Sequence, residues 1–183
     1  MAVSTNSAPE ANSAPEIENA EEKEETKTMK KTPLFVFLDI DGVLNSNRSR
    51  RKFNSEDVFD TTCVLELNRI IERTGAQIIV HSNRRLTSGL AELRTLLSRN
   101  GVRGEVVDRV ARPSELPGAT QRHEFIQAWL DKHPGPRERR SVILDDERNM
   151  GDLLDQHIRT REAKGLDRAM ADRAILILEG VTW

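Results

Sequence analysis

The chain has 183 residues, of which 32% are charged, and its formal net charge is −2. This length favours one domain with a tail, and the balance of charge excludes a globally basic protein. Cys63 is the only cysteine, which excludes an internal disulfide and favours a reducing compartment. No apolar run approaches the ~20 residues that a membrane span needs. The start, MAVSTNSAPE, lacks the apolar core of a signal peptide. We therefore expect a cytoplasmic protein.

The first 31 residues are predicted to be a disordered acidic tail. They contain a repeat of small and polar residues with proline, NSAPEANSAPE, and they carry seven glutamates against four lysines. Such a segment has little apolar surface to bury. A folded domain is therefore expected only over residues 32–183.

From Pro33 onward, short apolar runs alternate with segments of helical periodicity. In chain order, the predicted elements are a strand Leu34–Leu38, a helix Thr61–Thr74 between Asp60 and Gly75, a strand Ala76–Val80, a helix carrying Leu86, Leu90, Leu93 and Leu97, a short strand Glu105–Val107, a helix Arg122–Lys132, a strand Val142–Leu144 and a helix Asp167–Leu178. This alternation predicts an α/β fold with a mostly parallel sheet.

Polar side chains follow three of these strands at the point where each strand ends. Asp39 and Asp41 follow the first strand, Ser82 follows the second, and Asp145 and Asp146 follow the third. Since the carboxyl ends of parallel strands share one edge, these side chains are expected to converge there.

The predicted crowding of four carboxylates requires protonation or a cation. Two carboxylates ~4 Å apart repel by roughly 4 kcal/mol at an effective dielectric constant of ~20. Oxygen ligands favour Mg²⁺. Zinc is disfavoured because the four histidines, at positions 81, 123, 133 and 157, show no ligand spacing, so we expect them to be surface or packing residues.

Three of these segments resemble motifs of the haloacid dehalogenase (HAD) superfamily. FLDIDGVLN resembles its first motif, IIVHSN its second and VILDDE its fourth. The third motif is a Lys or Arg shortly before the fourth, for which Arg122 is the best match and Lys132 the second. Motif order and spacing agree over about residues 34–160. The resemblance implies a Rossmann-like three-layer HAD fold.

A narrower resemblance is to the compact HAD domains of Swiss Army Knife nucleic-acid repair proteins. It rests on FLDIDGVLN, SNRR, RHEFIQAWL, VILDDE, HIRT and GLDRA. Those domains often carry Ser-x-Trp-Arg after the second motif, whereas this chain has Arg84 in place of the tryptophan.

The resemblance implies a role for each acidic residue. Asp39 would attack phosphorus and form an aspartyl-phosphate. Asp41 would protonate the leaving oxygen and then deprotonate the attacking water. Mg²⁺ would be bound by the Asp39 carboxylate, the Asp41 backbone carbonyl and one or both of Asp145 and Asp146. Ser82, the Asn83 backbone and Arg122 would hold the phosphoryl oxygens.

The two gaps that hold cap domains in many HAD enzymes are short here. The gap from Asn45 to Ala76 is predicted to contain a loop and one helix, and the gap from Leu86 to Gln121 one helix, a short strand and a loop. Neither has room for a large cap domain, so the site is expected to be open to large substrates.

Basic residues follow several strand ends and are predicted to rim the same edge. They are Arg48 to Lys52, Arg84, Arg85, Arg109 and Arg112. The resulting hypothesis is an Mg²⁺-dependent phosphatase acting on a phosphorylated nucleic-acid end or another large phosphorylated substrate. Two alternatives stay open, a phosphomonoesterase for a small metabolite and a non-catalytic polyanion-binding module on the same fold.

Overall fold

The computed structural model describes residues 32–135 and 140–181. The predicted tail, residues 1–31, lies outside the described residues.

The centre of the domain is a five-stranded, all-parallel sheet, which confirms the predicted α/β fold. Its strands are β1 (Leu34–Leu38), β2 (Gln77–Val80), β3 (Val106–Arg109), β4 (Arg140–Asp145) and β5 (His157–Arg159). Their order across the sheet is β3-β2-β1-β4-β5. Every pairing is parallel, so the carboxyl ends of all five strands lie at one edge.

In the described part of the chain, five α-helices connect or follow the strands. They are α1 (Asn47–Phe53), α2 (Thr61–Thr74), α3 (Leu90–Arg99), α4 (Arg122–Lys132) and α5 (Arg168–Glu179). Two short 3-10 turns occupy Asn83–Leu86 and Gly151–Gln156. The predicted bounds of α2 and α4 are confirmed. The Asp60 side chain accepts a hydrogen bond from the Thr62 backbone N–H at 3.0 Å, and Gly75 ends α2 in the left-handed conformation.

The core has two layers because β1 alternates its side chains between the two faces of the sheet. Leu34, Val36 and Leu38 pack with the apolar residues of α2 and α5 on one face. Phe35 and Phe37 pack on the other face against α4, where Trp129 meets both rings edge-on at 5.2 and 5.5 Å between centroids. The sheet is thereby covered on both faces, as a parallel sheet requires.

Two elements were absent from the prediction. Helix α1 carries little apolar periodicity, and it begins because Ser46 and Ser49 exchange hydrogen bonds in a capping box. Strand β5 is only three residues long and exists because it pairs with the edge of β4. The first gap therefore holds two helices rather than the one predicted.

The predicted start of the third helix was also wrong. Leu86 belongs to a 3-10 turn and is 47% exposed, and α3 begins only after Gly89, whose N–H donates to the Glu92 carboxylate at 2.6 Å. Within the described residues, neither gap holds a large cap domain. None of the helices in residues 32–135 and 140–181 is long and apolar enough to span a membrane.

Candidate active site

The chain leaves the sheet immediately after β1, in a tight turn that fixes Asp39. The Ile40 carbonyl accepts hydrogen bonds from the backbone N–H groups of residues 43–45. The Asp39 side chain is 1% exposed, and its Oδ1 accepts a hydrogen bond from the Ile40 N–H at 2.7 Å. One carboxylate oxygen is therefore held by the backbone of the turn.

Gly42 allows this turn to approach the end of β4. Its φ is +82°, and a Cβ at this position would lie 2.6 Å from Cγ and Oδ2 of Asp146. Real Cβ atoms do not come this close to other heavy atoms. Glycine is therefore required both for the backbone conformation and for the contact between the two acidic loops.

Arg122, at the first turn of α4, connects the acids at the ends of two strands. Its Nη1 donates to Oδ2 of Asp39 at 2.6 Å and to Oδ2 of Asp145 at 2.5 Å. Burial lowers the guanidinium's pKa, but the charges of the two aspartates outweigh this effect and raise its pKa overall. Lys132 is exposed at the other end of α4, so of the two residues matched to the third motif only Arg122 lies at the acids.

Three of the four predicted carboxylates form one cluster. Oxygens of Asp39, Asp145 and Asp146 lie within 4.8 Å of one another. Burial and the charge of Asp39 raise the pKa of Asp145, although Arg122 opposes this shift. Burial and the charges of Asp145 and Asp39 raise the pKa of Asp146 to about 6. Burial and the mutual repulsion of the carboxylates together therefore outweigh the stabilising charge of Arg122 at Asp145 and Asp146.

This cluster fits a divalent cation on chemical grounds. All three side chains offer hard oxygen ligands, and a bound cation would stabilise the charged forms that burial and mutual repulsion disfavour at Asp145 and Asp146. The donor set suits Mg²⁺ and lacks the thiolate and imidazole ligands typical of zinc.

Asp41 points away from this cluster and has different partners. Its carboxylate accepts hydrogen bonds from Nε and Nη2 of Arg84, both at 3.1 Å, and from the Asn45 side chain at 2.8 Å. Burial alone would raise the pKa of Asp41, but the hydrogen bonds from Arg84 and Asn45 and the positive charges of Arg84 and Arg50 lower it. Arg84 also pairs with Asp57 at 2.5 Å.

Ser82 and Asn83 lie at the carboxyl end of β2, as predicted. Ser82 is fully buried and caps the 3-10 turn, where its Oγ accepts a hydrogen bond from the Arg84 N–H at 3.4 Å. Asn83 is exposed at the start of the same turn. The turn brings both residues to the edge of the sheet that carries Asp39.

His81 belongs to the site, although we expected a surface or packing residue. It is 1% exposed, and its Nδ1 lies 3.5 Å from Oδ2 of Asp145. Neither ring nitrogen has a hydrogen-bond partner among the described residues. Burial is the largest effect on its pKa, which falls to about 4, so the ring is neutral at pH 7 despite the nearby acid. The signal in the sequence that could have indicated this is the position of His81, directly between the apolar strand β2 and Ser82.

The predicted basic rim is largely wrong. Arg85 is 3% exposed, donates to the carbonyls of His81, Ser82 and Ala111, and lies 5.0 Å over the Phe125 ring. Four more of the eight predicted basic residues are paired within the protein. Arg109 makes a bidentate ion pair with Glu115, Arg112 donates to backbone carbonyls, Arg84 pairs with two aspartates, and Arg50 pairs with Glu162. Of the residues predicted to form the rim, only Arg48, Arg51 and Lys52 on α1 have exposed side chains.

Comparison with known proteins agrees with this arrangement. A family model described as the HAD domain in Swiss Army Knife RNA repair proteins matches residues 35–171. This range is well over half of the chain and contains every predicted site residue. No curated protein and no solved structure matches the chain. HAD domains are in general hydrolases of the phosphatase type. The parallel sheet, the acids at its carboxyl edge and this match together show that the chain belongs to the family of HAD domains found in Swiss Army Knife RNA repair proteins.

Proposed function

We propose that this protein is an Mg²⁺-dependent phosphatase that works through an aspartyl-phosphate and acts on phosphorylated nucleic-acid ends. The proposal rests mainly on the environment of Asp39. Its buried carboxylate accepts hydrogen bonds from the Ile40 N–H and from Arg122, and it lies next to the carboxylates of Asp145 and Asp146. Asp41, two residues further, has a separate set of partners. Two carboxylates in different environments are what a nucleophile and an acid–base group require.

In the first half-reaction, Asp39 forms a bond to phosphorus while the bond from phosphorus to the leaving oxygen breaks. Asp41 gives its proton to that oxygen. In the second half-reaction, Asp41 takes a proton from water as the water oxygen bonds to phosphorus. The bond between phosphorus and Asp39 then breaks, which releases phosphate and restores the Asp39 carboxylate.

The remaining residues bind and orient the phosphoryl group. Arg122 offers a fixed positive charge, and Ser82 and the Asn83 backbone N–H offer neutral hydrogen bonds to its oxygens. A bound Mg²⁺, held by Asp39, the Asp41 carbonyl and one or both acids at the end of β4, would supply further positive charge to those oxygens.

Arg84 influences whether Asp41 is protonated in each half-reaction. Its hydrogen bonds lower the pKa of Asp41 and so favour the carboxylate, which is the form needed to activate water. Donation of a proton to the leaving oxygen requires the acid form, so Arg84 must give up at least one of its bonds to Asp41 during the first half-reaction.

The open site supports a large substrate. No large cap covers the carboxyl edge in the described part of the chain, and Arg48, Arg51 and Lys52 on α1 stay exposed beyond the first motif. The matching family is described by its occurrence in RNA repair proteins. These observations favour a phosphorylated nucleic-acid end over a small metabolite.

Trapping of the phosphoenzyme tests the assignment of roles. With p-nitrophenyl phosphate, whose leaving group needs little proton donation, Asp41→Asn should accumulate phosphoaspartate, because loss of the base slows its hydrolysis on the order of 10²–10⁴-fold. Asp39→Asn should form none. Both are read by rapid acid quench and intact mass, and trapped phosphate in Asp39→Asn would refute the proposed nucleophile.

A screen of phosphate release tests the substrate. It should include nucleotides, sugar phosphates, phosphopeptides and oligonucleotides phosphorylated at the 5′ or the 3′ end. The highest kcat/KM is expected for an oligonucleotide, and a preference for a sugar phosphate would favour the small-metabolite alternative. Tight oligonucleotide binding without any phosphate release would favour the non-catalytic alternative.

A further inference from the structure

A cleft of about 710 Å³ opens beside the acidic cluster, on the side of β5. It is lined by Asn47 and by residues 146–148 and 159–163. Asp146 belongs both to this lining and to the cluster with Asp39 and Asp145. The cleft therefore begins where a phosphoryl group would react, and its volume lies within the range of pockets that hold small organic ligands.

Three arginines give the cleft an anion-binding character. Arg148 and Arg161 are exposed, and neither donates a side-chain hydrogen bond to any residue within 32–135 and 140–181. Arg159 donates through Nε to the Asp146 carbonyl at 3.2 Å, which holds its guanidinium at the cleft wall. Of the two glutamates in the lining, Glu162 already pairs with Arg50 at 3.2 Å. Asp146 is the third acid of the lining, so once Glu162 is paired with Arg50 the three arginines outnumber the two remaining acids, Asp146 and Glu147, by one.

The floor of the cleft is joined to the catalytic turn. The Thr160 N–H donates to the Asp145 carbonyl at 2.9 Å, and its buried hydroxyl donates to the Gly42 carbonyl at 2.9 Å. Parallel pairing also aligns Arg159 with Asp145. The backbone that carries Arg159 and Arg161 is therefore fixed relative to the turn that follows Asp39.

We infer that this cleft is a second phosphate-binding subsite, which binds the phosphodiester groups of a single-stranded nucleic acid next to its terminal phosphate. The inference rests on the proposed function and adds a place for the rest of the substrate. In a nucleic acid, negatively charged phosphodiester groups continue from one side of the terminal phosphate. Several arginines beyond the acidic cluster could pair with these charges. A small phosphomonoester ends at the cluster and has no group to place there.

The binding experiment uses the full chain and needs no catalysis. The probe is a fluorescein-labelled hexaribonucleotide without a terminal phosphate, and its affinity is measured by fluorescence anisotropy at several salt concentrations. The variant Arg148→Ala/Arg161→Ala should bind about tenfold more weakly. The slope of log affinity against log salt should fall in magnitude by about 1.4, or about 0.7 for each phosphate that the variant no longer neutralises.

A matched control removes two positive charges elsewhere. Arg99 on α3 and Arg173 on α5 are exposed and do not line the cleft, so Arg99→Ala/Arg173→Ala should bind like the wild type. Equal weakening in both double variants would overturn the subsite, because the effect would then come from net charge. Unchanged affinity in the cleft variant would overturn it as well.

Turnover separates this inference from the proposed function. In the cleft variant, kcat/KM should fall about tenfold for a terminally phosphorylated hexanucleotide and stay unchanged for p-nitrophenyl phosphate. An equal fall for both substrates, or an equal fall for a phosphoserine peptide, would overturn the nucleic-acid subsite. If the wild type releases phosphate from no substrate, the proposed function fails, while the anisotropy result still decides the subsite.

Discussion

The contact between Gly42 and Asp146 allows a sharp test of the site, through the substitution Gly42→Ala. The new methyl group would be built at φ +82° and 2.6 Å from Cγ of Asp146. Alanine in the left-handed region costs roughly 1–2 kcal/mol. The clash is relieved only if the Asp146 carboxylate moves, and a movement away from Asp39 and Asp145 would disperse the acidic cluster.

The two consequences have different sizes and can be measured separately. The free energy of unfolding should fall by about 1–3 kcal/mol, which lowers Tm by roughly 2–4 °C for each kcal/mol. If Asp146 is one of the metal ligands, as proposed, its displacement should raise the Mg²⁺ concentration for half-maximal activity by on the order of 10–100-fold. Thermal unfolding and initial rates with p-nitrophenyl phosphate over a series of Mg²⁺ concentrations give both quantities.

Gly75→Ala is the matched control for backbone strain. Gly75 has φ +70°, ends α2, and has no atom within 4 Å of an added Cβ. Its replacement should cost about 1–2 kcal/mol of stability and leave the Mg²⁺ dependence unchanged. The reasoning is refuted if Gly42→Ala keeps the wild-type Mg²⁺ dependence and kcat, or if Gly75→Ala loses activity to the same extent.

Four further outcomes are expected. Excess chelator should abolish phosphate release and added Mg²⁺ should restore it, so full activity in chelator would contradict the proposed metal site. Arg122→Ala should lower kcat/KM for p-nitrophenyl phosphate by about 10–100-fold because a charged hydrogen-bond donor is lost, whereas Lys132→Ala, measured in the same assay, should not. Hydrogen bonds from Arg109 and Arg112 hold the pKa of Glu115 at about 2, below its usual 4.5, so its contribution to stability is present above pH 4.5 and disappears as pH falls towards 2. The stability loss in Arg109→Gln, measured by urea unfolding, should therefore shrink from pH 7 to pH 3, and a loss independent of pH would contradict the ion pair. Deletion of residues 1–30 should leave Tm and turnover nearly unchanged, and a large loss of either would show that the tail contributes to the domain.

The fold could be predicted where local sequence and tertiary packing favour the same structure. Leu34–Leu38 is a short apolar run that suits a strand buried on both faces, and it is β1 with the predicted bounds. Helix α2 has its own cap, apolar face and terminal glycine. Strand β5 carried no such signal, because its three residues become a strand only through pairing with β4. The cleft beside β5 could not be predicted either, because its walls depend on the pairing of β5 with β4.

The acids of the site were identifiable from sequence because a parallel sheet brings strand ends together whatever their distance along the chain. Asp39 and Asp145 are 1% and 0% exposed at adjacent strand ends, where the sequence placed them. Arg122 was identifiable by its resemblance to the third motif, but the partners of the other arginines were not, since a guanidinium on a flexible stem can reach solvent, an acid or a carbonyl. Arg84 and Arg85 are neighbours of the same type, yet one binds Asp41 and the other lies buried over Phe125. The sequence by itself determined which backbone positions meet at the carboxyl edge of the sheet. Only the tertiary structure decided which acid, carbonyl or ring each arginine side chain contacts there, because that depends on the residues packed around it.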